Sequence, residues 1–208
     1  MDNRLFEEYF DSIFKYSNIF SKEEYEHNCH LFETAYGPFL PLDKKSRILD
    51  IGCGAGHFLY FLTKKGYVDF LGIDVSGQQI DFCKKNISRQ VEKIDAFDFL
   101  RDKTNTFDAL VANDVVEHIP KDDIIGFLSL INKALSPKGV LLLKTFNLGN
   151  PFAIFGRYKD FTHTTGFTER SLYQVLWLAG FRDIIILPIR ERGFLRKALV
   201  SLIWFFMS

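Results

Sequence analysis

From residue 47 onward, short apolar runs alternate with stretches of helical periodicity, and this alternation dominates the chain. Apolar runs of strand length fall at 47–51, 69–74, 91–94, 107–113, 139–146 and 182–188. Between them, apolar residues recur at helical spacing over 56–66, 76–87, 121–135 and 168–179. Strands separated by helices are buried on both faces, so the pattern predicts an α/β fold with a mostly parallel central sheet and helices on both faces. The stretch S-P-K-G at 136–139 reads as a turn that ends one helix and launches the strand V-L-L-L-K-T-F. Upstream, Leu5, Phe6, Tyr9, Phe10, Ile13 and Phe14 share a helical spacing with Glu7, Glu8 and Asp11 between them, which predicts an amphipathic helix. No repeat or linker interrupts the pattern. The expectation is one domain over 1–208, with a helical cover at 1–46, a core at 47–189 and a tail at 190–208.

Composition narrows the function. With 208 residues, 47% apolar and 25% charged, the chain is long and apolar enough for one full core. Basic and acidic residues balance at 26 each, so there is no overall positive field to hold long nucleic acid. The three cysteines, Cys29, Cys53 and Cys83, are odd in number and lack C-x-x-C spacing, which indicates neither a disulfide framework nor a zinc site. The start M-D-N-R-L-F-E-E-Y-F has an early acid and no continuous apolar region, and no later run reaches the roughly 18 apolar residues of a spanning helix. A reducing, cytoplasmic location is therefore expected.

The candidate chemistry starts at R-I-L-D-I-G-C-G-A-G-H, where a strand runs into Gly52, Gly54 and Gly56. A dinucleotide fingerprint, G-x-G-x-x-G, would place its third glycine at position 57, which is His57. Asp50 at the strand end would also repel a pyrophosphate. A cationic nucleoside gains from that carboxylate, and the glycines let backbone N–H groups approach it closely. S-adenosylmethionine, with its sulfonium, ammonium and adenosine, fits this description. Ligands of open parallel sheets bind beyond the carboxyl ends of the strands, and acids recur there. Asp74 ends L-G-I-D, 24 residues after Asp50, where it can accept from both ribose hydroxyls; Asp95 ends E-K-I-D, where it can accept from the adenine amino group. Asn113 and Asp114 follow F-D-A-L-V-A and border the methionine part or the acceptor. Any one of these acids alone reads as a helix cap; their recurrence at successive strand ends favours a site.

Residues 47 to 181 resemble a class I S-adenosylmethionine-dependent methyltransferase, through D-I-G-C-G-A-G, the acid of L-G-I-D, F-D-A-L-V-A-N-D-V-V-E-H-I and L-S-P-K-G-V-L-L-L. The resemblance implies a Rossmann-like fold, S-adenosyl-L-methionine as cofactor and S-adenosyl-L-homocysteine as product. It also implies roles: Asp50, Gly52, Gly54 and Gly56 frame the methionine moiety with Asn113 nearby, Asp74 holds the ribose, Asp95 the adenine, and Val75 packs on the adenine ring.

The later stretch R-Y-K-D-F-T-H-T-T-G-F-T-E-R-S-L-Y-Q-V-L-W-L-A-G-F resembles bacterial methyltransferases of surface-polysaccharide and related sugar modification, in which D-x-T-H precedes F-(T/S)-x-x-(S/T)-L and an A-G-F helix end. This implies O-methylation of a sugar or glycan hydroxyl, with a small-molecule or glycan acceptor. Read physically, Thr168 is a helix N-cap and Gly180 a residue just past a helix C-terminus. His163 lies in the loop on the ligand side, with Asp160 three residues away to fix its tautomer, and is the candidate general base; the alternative is a histidine that orders the loop. D-V-V-E-H resembles the E-x-x-E-H of ubiquinone-pathway and small-RNA terminal methyltransferases, where it holds a metal. The expectation is nonetheless that Glu117 serves the fold and no metal is bound, a divalent ion on Asp114, Glu117 and His118 being the lesser alternative.

Two other functions stay open: methylation of a small aromatic or quinone-like phenol, and a catalytically inactive cofactor-binding partner subunit. The basic residues Arg190, Arg192, Arg196 and Lys197 precede an apolar run from Ala198 to Met207, an order that suits peripheral contact with a membrane surface. The alternatives are a tail that packs into the core and a tail that continues beyond the present end.

Overall fold

A computed structural model describes residues 21–149 and 157–187; the anticipated helix at 5–20 and the tail at 190–208 lie outside the described residues. Five strands, β1 (Ile48–Ile51), β2 (Phe70–Asp74), β3 (Val91–Lys93), β4 (Phe107–Asn113) and β5 (Leu135–Lys144), form one sheet. Their order is β3-β2-β1-β4-β5 and every pairing is parallel. The α-helices that lie wholly among the described residues are α1 (Lys22–Ala35), α2 (His57–Lys64), α3 (Gly77–Asn86), α4 (Ala96–Leu100), α5 (Ile124–Ala134) and α6 (Glu169–Leu178).

The period of two along each strand divides the core into two layers. On β4, Ala109 and Val111 join Phe58, Leu59, Phe61 and Leu62 of α2 and Ile80 and Cys83 of α3. Leu110 and Ala112 face the other way, into a cluster with Phe127, Leu128 and Ile131 of α5 and Leu176 of α6. Both faces are thus covered, as the near-continuous apolar strands require. Burying each of these large side chains contributes about 1.5–3 kcal/mol. The strand order turns back between β1 and β4, which opens a crevice beyond their carboxyl ends.

Three details differ from the sequence reading. The S-P-K-G turn is an irregularity inside β5: pairing steps from Phe107↔Leu135 to Ala109↔Val140, and residues 136–139 bulge between them, with Lys138 at φ 71°. The sixth strand anticipated at 182–188 is not formed over residues 182–187. Ile184 packs onto the α5/α6 side of the core while Ile185 and Leu187 stay exposed, so the alternation is that of an extended segment without ladder bonds. α4 was not anticipated, because five residues are too few to show a helical period; it exists because Asp95 caps it.

The end of the chain's described part obeys the local rules. Thr168 caps α6 in a reciprocal capping box with Ser171, and Gly180 at φ 101° closes its far end. Thr168→Ala is expected to cost about 0.5–2 kcal/mol, read as a lower midpoint in urea denaturation with an unchanged slope.

Candidate functional site

The turn after β1 is built by backbone bonds to β2. Gly52 and Cys53 N–H both donate to the Ile73 carbonyl, at 2.8 and 3.0 Å. Gly54 N–H donates to Asp74 Oδ2 at 2.9 Å, and Ser76 N–H to Asp74 Oδ1 at 2.8 Å. Asp74 therefore ties the glycine turn to the turn after its own strand. Gly52 and Gly56 hold φ of 67° and 84°, and a Cβ at Gly52 would stand 2.6 Å from a Val115 methyl. No side chain fits there.

Asp50 is 2% exposed, and its Oδ2 has no hydrogen-bond partner among the described residues. Burial, and then the neighbouring Asp74 charge, push its carboxyl well above the ordinary range. Burial likewise raises Asp74, against the N–H bonds that lower it. A buried carboxylate left unmatched inside a turn of N–H donors suits a ligand that brings positive charge. Val75 is 38% exposed, an apolar surface beside Asp74. Asp95 is exposed and spends Oδ1 on the N–H groups of Phe97 and Asp98, so its structural role as a helix cap is real.

Two residues of the helical cover that sequence reasoning missed close over this turn. Tyr25 donates its hydroxyl to the Ala55 carbonyl at 2.9 Å and stacks on His57, ring centroids 4.4 Å apart. Tyr36 donates to Asn113 Oδ1 at the end of β4. No local signal marks them, since the contact spans the fold.

A second polar group gathers beyond β4 and β5. Asp114, at φ 54°, is paired with Lys144 at 2.6 Å. The 3₁₀ turn Val116–His118 then buries Glu117 to 2% exposure; Oε2 accepts from Thr145 at 3.0 Å, while Oε1 has no partner among the described residues. Burial first, and the Asp114 charge second, push Glu117 up to about 8. The loop before α6 folds onto this turn: Thr164 and Thr165 N–H donate to the Glu117 carbonyl at 2.8 and 3.1 Å, and Arg157 clamps the carbonyls of His163 and Thr164. His163, 4% exposed, meets His118 edge-on at 4.7 Å. His118 is pulled down to about 4, by burial first and by His163 next, which keeps its ring neutral near pH 7.

Glu117, His118 and His163 each offer one ligand atom, all within 4.8 Å of one another, a donor set that could hold a divalent cation. This replaces the trio anticipated from D-V-V-E-H, since Asp114 is turned to Lys144 and His163 enters from the loop. The anticipated neighbour of His163 is in place: Asp160 Oδ2 lies 3.9 Å from His163 Nε2, an ion-pair contact when that ring is protonated, and Asp160 Oδ1 accepts from Thr162.

Sheet order, parallel pairing and a glycine turn facing an acid at the next strand end define a Rossmann-like methyltransferase fold. The chain belongs to the family described as "Methyltransferase domain", which matches residues 21–185. A SAM-dependent methyltransferase from Archaeoglobus fulgidus superposes with a TM-score of 0.69 at 23% identity, covering 98% of this chain and 90% of that one. Among curated relatives, the ubiquinone biosynthesis O-methyltransferase of Pelagibacter ubique is 32% identical over 108 residues, 50% of this chain and 43% of that protein. The cyclopropane-fatty-acyl-phospholipid synthase of Escherichia coli is 28% identical over 109 residues, 51% of this chain and 28% of that protein. The matched stretch thus spans less than half the length of either relative. Among the described residues no helix is long and apolar enough to cross a membrane.

Proposed function

We propose that this methyltransferase methylates a hydroxyl oxygen, and that a sugar or glycan hydroxyl is the acceptor. The observation that carries the reading is the cluster of buried Glu117 and His163 with half-buried His118 beside the crevice, because a sugar hydroxyl is a weak acid and needs a group to take its proton. S-adenosylmethionine supplies, when bound, a methyl group activated by its sulfonium. Asp50, Gly52, Gly54 and Gly56 hold the methionine part, with Asn113 at its border. Asp74, which accepts from the Gly54 and Ser76 N–H groups, stands where it can also accept from the ribose hydroxyls. Val75 and Asp95 flank the adenine. The cluster would take the acceptor's proton, with His163 as the general base.

Labelled methyl transfer to a panel of nucleotide sugars, oligosaccharides, catechols and quinols tests the proposal. Label on a sugar hydroxyl supports it. Label on phenols alone supports the reading that the Pelagibacter ubique relative's name brings to mind, and no label despite cofactor binding supports a partner subunit. A second reading, favoured by the unmatched Glu117 Oε1, places a divalent cation on the cluster. Turnover abolished by EDTA and restored by Mn²⁺ supports it; chelator-resistant turnover rejects it.

Cofactor binding should also release a proton. Without ligand, Asp50 keeps its proton at pH values above the ordinary carboxylate range, and a cation beside it favours the ionised form. In the window between those two pKa values, the calorimetric enthalpy of S-adenosylmethionine binding should vary with the buffer's ionisation enthalpy. Asp50→Asn should remove that dependence.

A further inference from the structure

The loop before α6 inverts the usual partition of side chains. Asp160, Thr162 and His163 are 3%, 3% and 4% exposed, while Phe161 among them is 86% exposed. Burying polar groups where an aromatic ring could go is unfavourable unless their bonds are directed to some use. The bonds trace a chain. Asp160 Oδ1 accepts the Thr162 N–H at 2.9 Å, which marks that oxygen as an acceptor, and it also accepts the Thr162 hydroxyl at 2.7 Å. Thr162 Oγ1 lies 2.8 Å from His118 Nδ1. A hydroxyl has one proton, and here the carboxylate takes it. The His118 contact can then be a hydrogen bond only if Nδ1 carries the proton and Thr162 accepts.

We infer that Asp160 and Thr162 are positioning residues that lock His118 in its Nδ1-protonated tautomer, leaving Nε2 as the basic nitrogen that His118 contributes to the cluster with Glu117 and His163. A neutral imidazole otherwise exchanges between two tautomers, and only one of them presents a lone pair at Nε2. The loop carries the lock, so its docking onto the Glu117 carbonyl and the setting of His118 are one event. The catalytic consequence rests on the hydroxyl-methylation reading: with Nε2 as its basic nitrogen His118 supports His163 in receiving the acceptor proton in that reaction, or ligates the cation if one is bound, and either role needs this tautomer.

Long-range ¹H–¹⁵N correlation of histidine-labelled protein at neutral pH, with the His118 ring assigned from a His118→Asn variant, reads the tautomer directly. The wild type should show Nδ1 protonated. Thr162→Val, which keeps the shape and removes the hydroxyl, should release the preference. It should lower kcat about 10- to 100-fold with S-adenosylhomocysteine affinity unchanged, and Thr162→Ser should restore both. An Nε2-protonated wild-type ring overturns the lock, as does a valine variant with an unaltered tautomer. An altered tautomer with unaltered kcat overturns its catalytic use. If the valine variant does not fold, the wild-type spectrum still decides the tautomer. A confirmed lock in a protein that methylates no hydroxyl acceptor would refute the proposed function and leave the lock standing.

Discussion

His163→Ala is expected to lower turnover about 100-fold or more, with S-adenosylhomocysteine affinity nearly unchanged. The side chain is sealed at 4% exposure against His118 and Phe146, and its ligand atom belongs to the cluster with Glu117. The bonds that shape the cofactor turn run from the glycine backbone to Ile73 and Asp74. None of these named bonds comes from His163. Removing the imidazole therefore strips the cluster of a polar group without disturbing the cradle. Single-turnover rates and calorimetry on the same preparation check both halves; full activity in the variant would remove His163 from the chemistry.

Gly56→Ala should be the most damaging single-carbon change in the cofactor turn. Its φ of 84° costs an L-residue about 1–2 kcal/mol. The added Cβ would also stand 2.5 Å from Cys83 Sγ and 3.2 Å from an Ile87 methyl, both held by α3 and the residue after it. Such overpacking adds about 1–3 kcal/mol. The expected loss of about 2–5 kcal/mol has two separable parts. Combining Gly56→Ala with Cys83→Ala should recover the steric part and leave the backbone part, so denaturation of the single and double variants measures each. Additive losses with no recovery would contradict the geometry.

The strands and the glycine turn were legible in the sequence because their signals are local. Short apolar runs between stretches of helical periodicity marked the parallel sheet, and glycines at alternate positions after Asp50 marked the turn. The cap at Thr168 was legible for the same reason. What failed or stayed hidden depends on long-range contacts. Residues 182–187 have a strand's alternation, but pairing needs a partner edge, and no ladder forms along them. Tyr25 and Tyr36 look like ordinary apolar positions of a cover helix until the fold brings them to Ala55 and Asn113. D-V-V-E-H and D-F-T-H each carried a visible signal, 40 or more residues apart. Their convergence, and the link from Asp160 through Thr162 to His118, is a property of the docked loop.

The central claim is that the turn after β1 and the acid at the end of β2 hold S-adenosylmethionine. Calorimetric titration with S-adenosylhomocysteine and with NAD, on the wild type and on Asp74→Ala, tests it most directly. The account predicts one site for S-adenosylhomocysteine, no heat from NAD, and a loss of about 1–3 kcal/mol in the variant, where hydrogen bonds to a charged acceptor are gone. NAD binding without heat from S-adenosylhomocysteine, or an affinity untouched by Asp74→Ala, would contradict it.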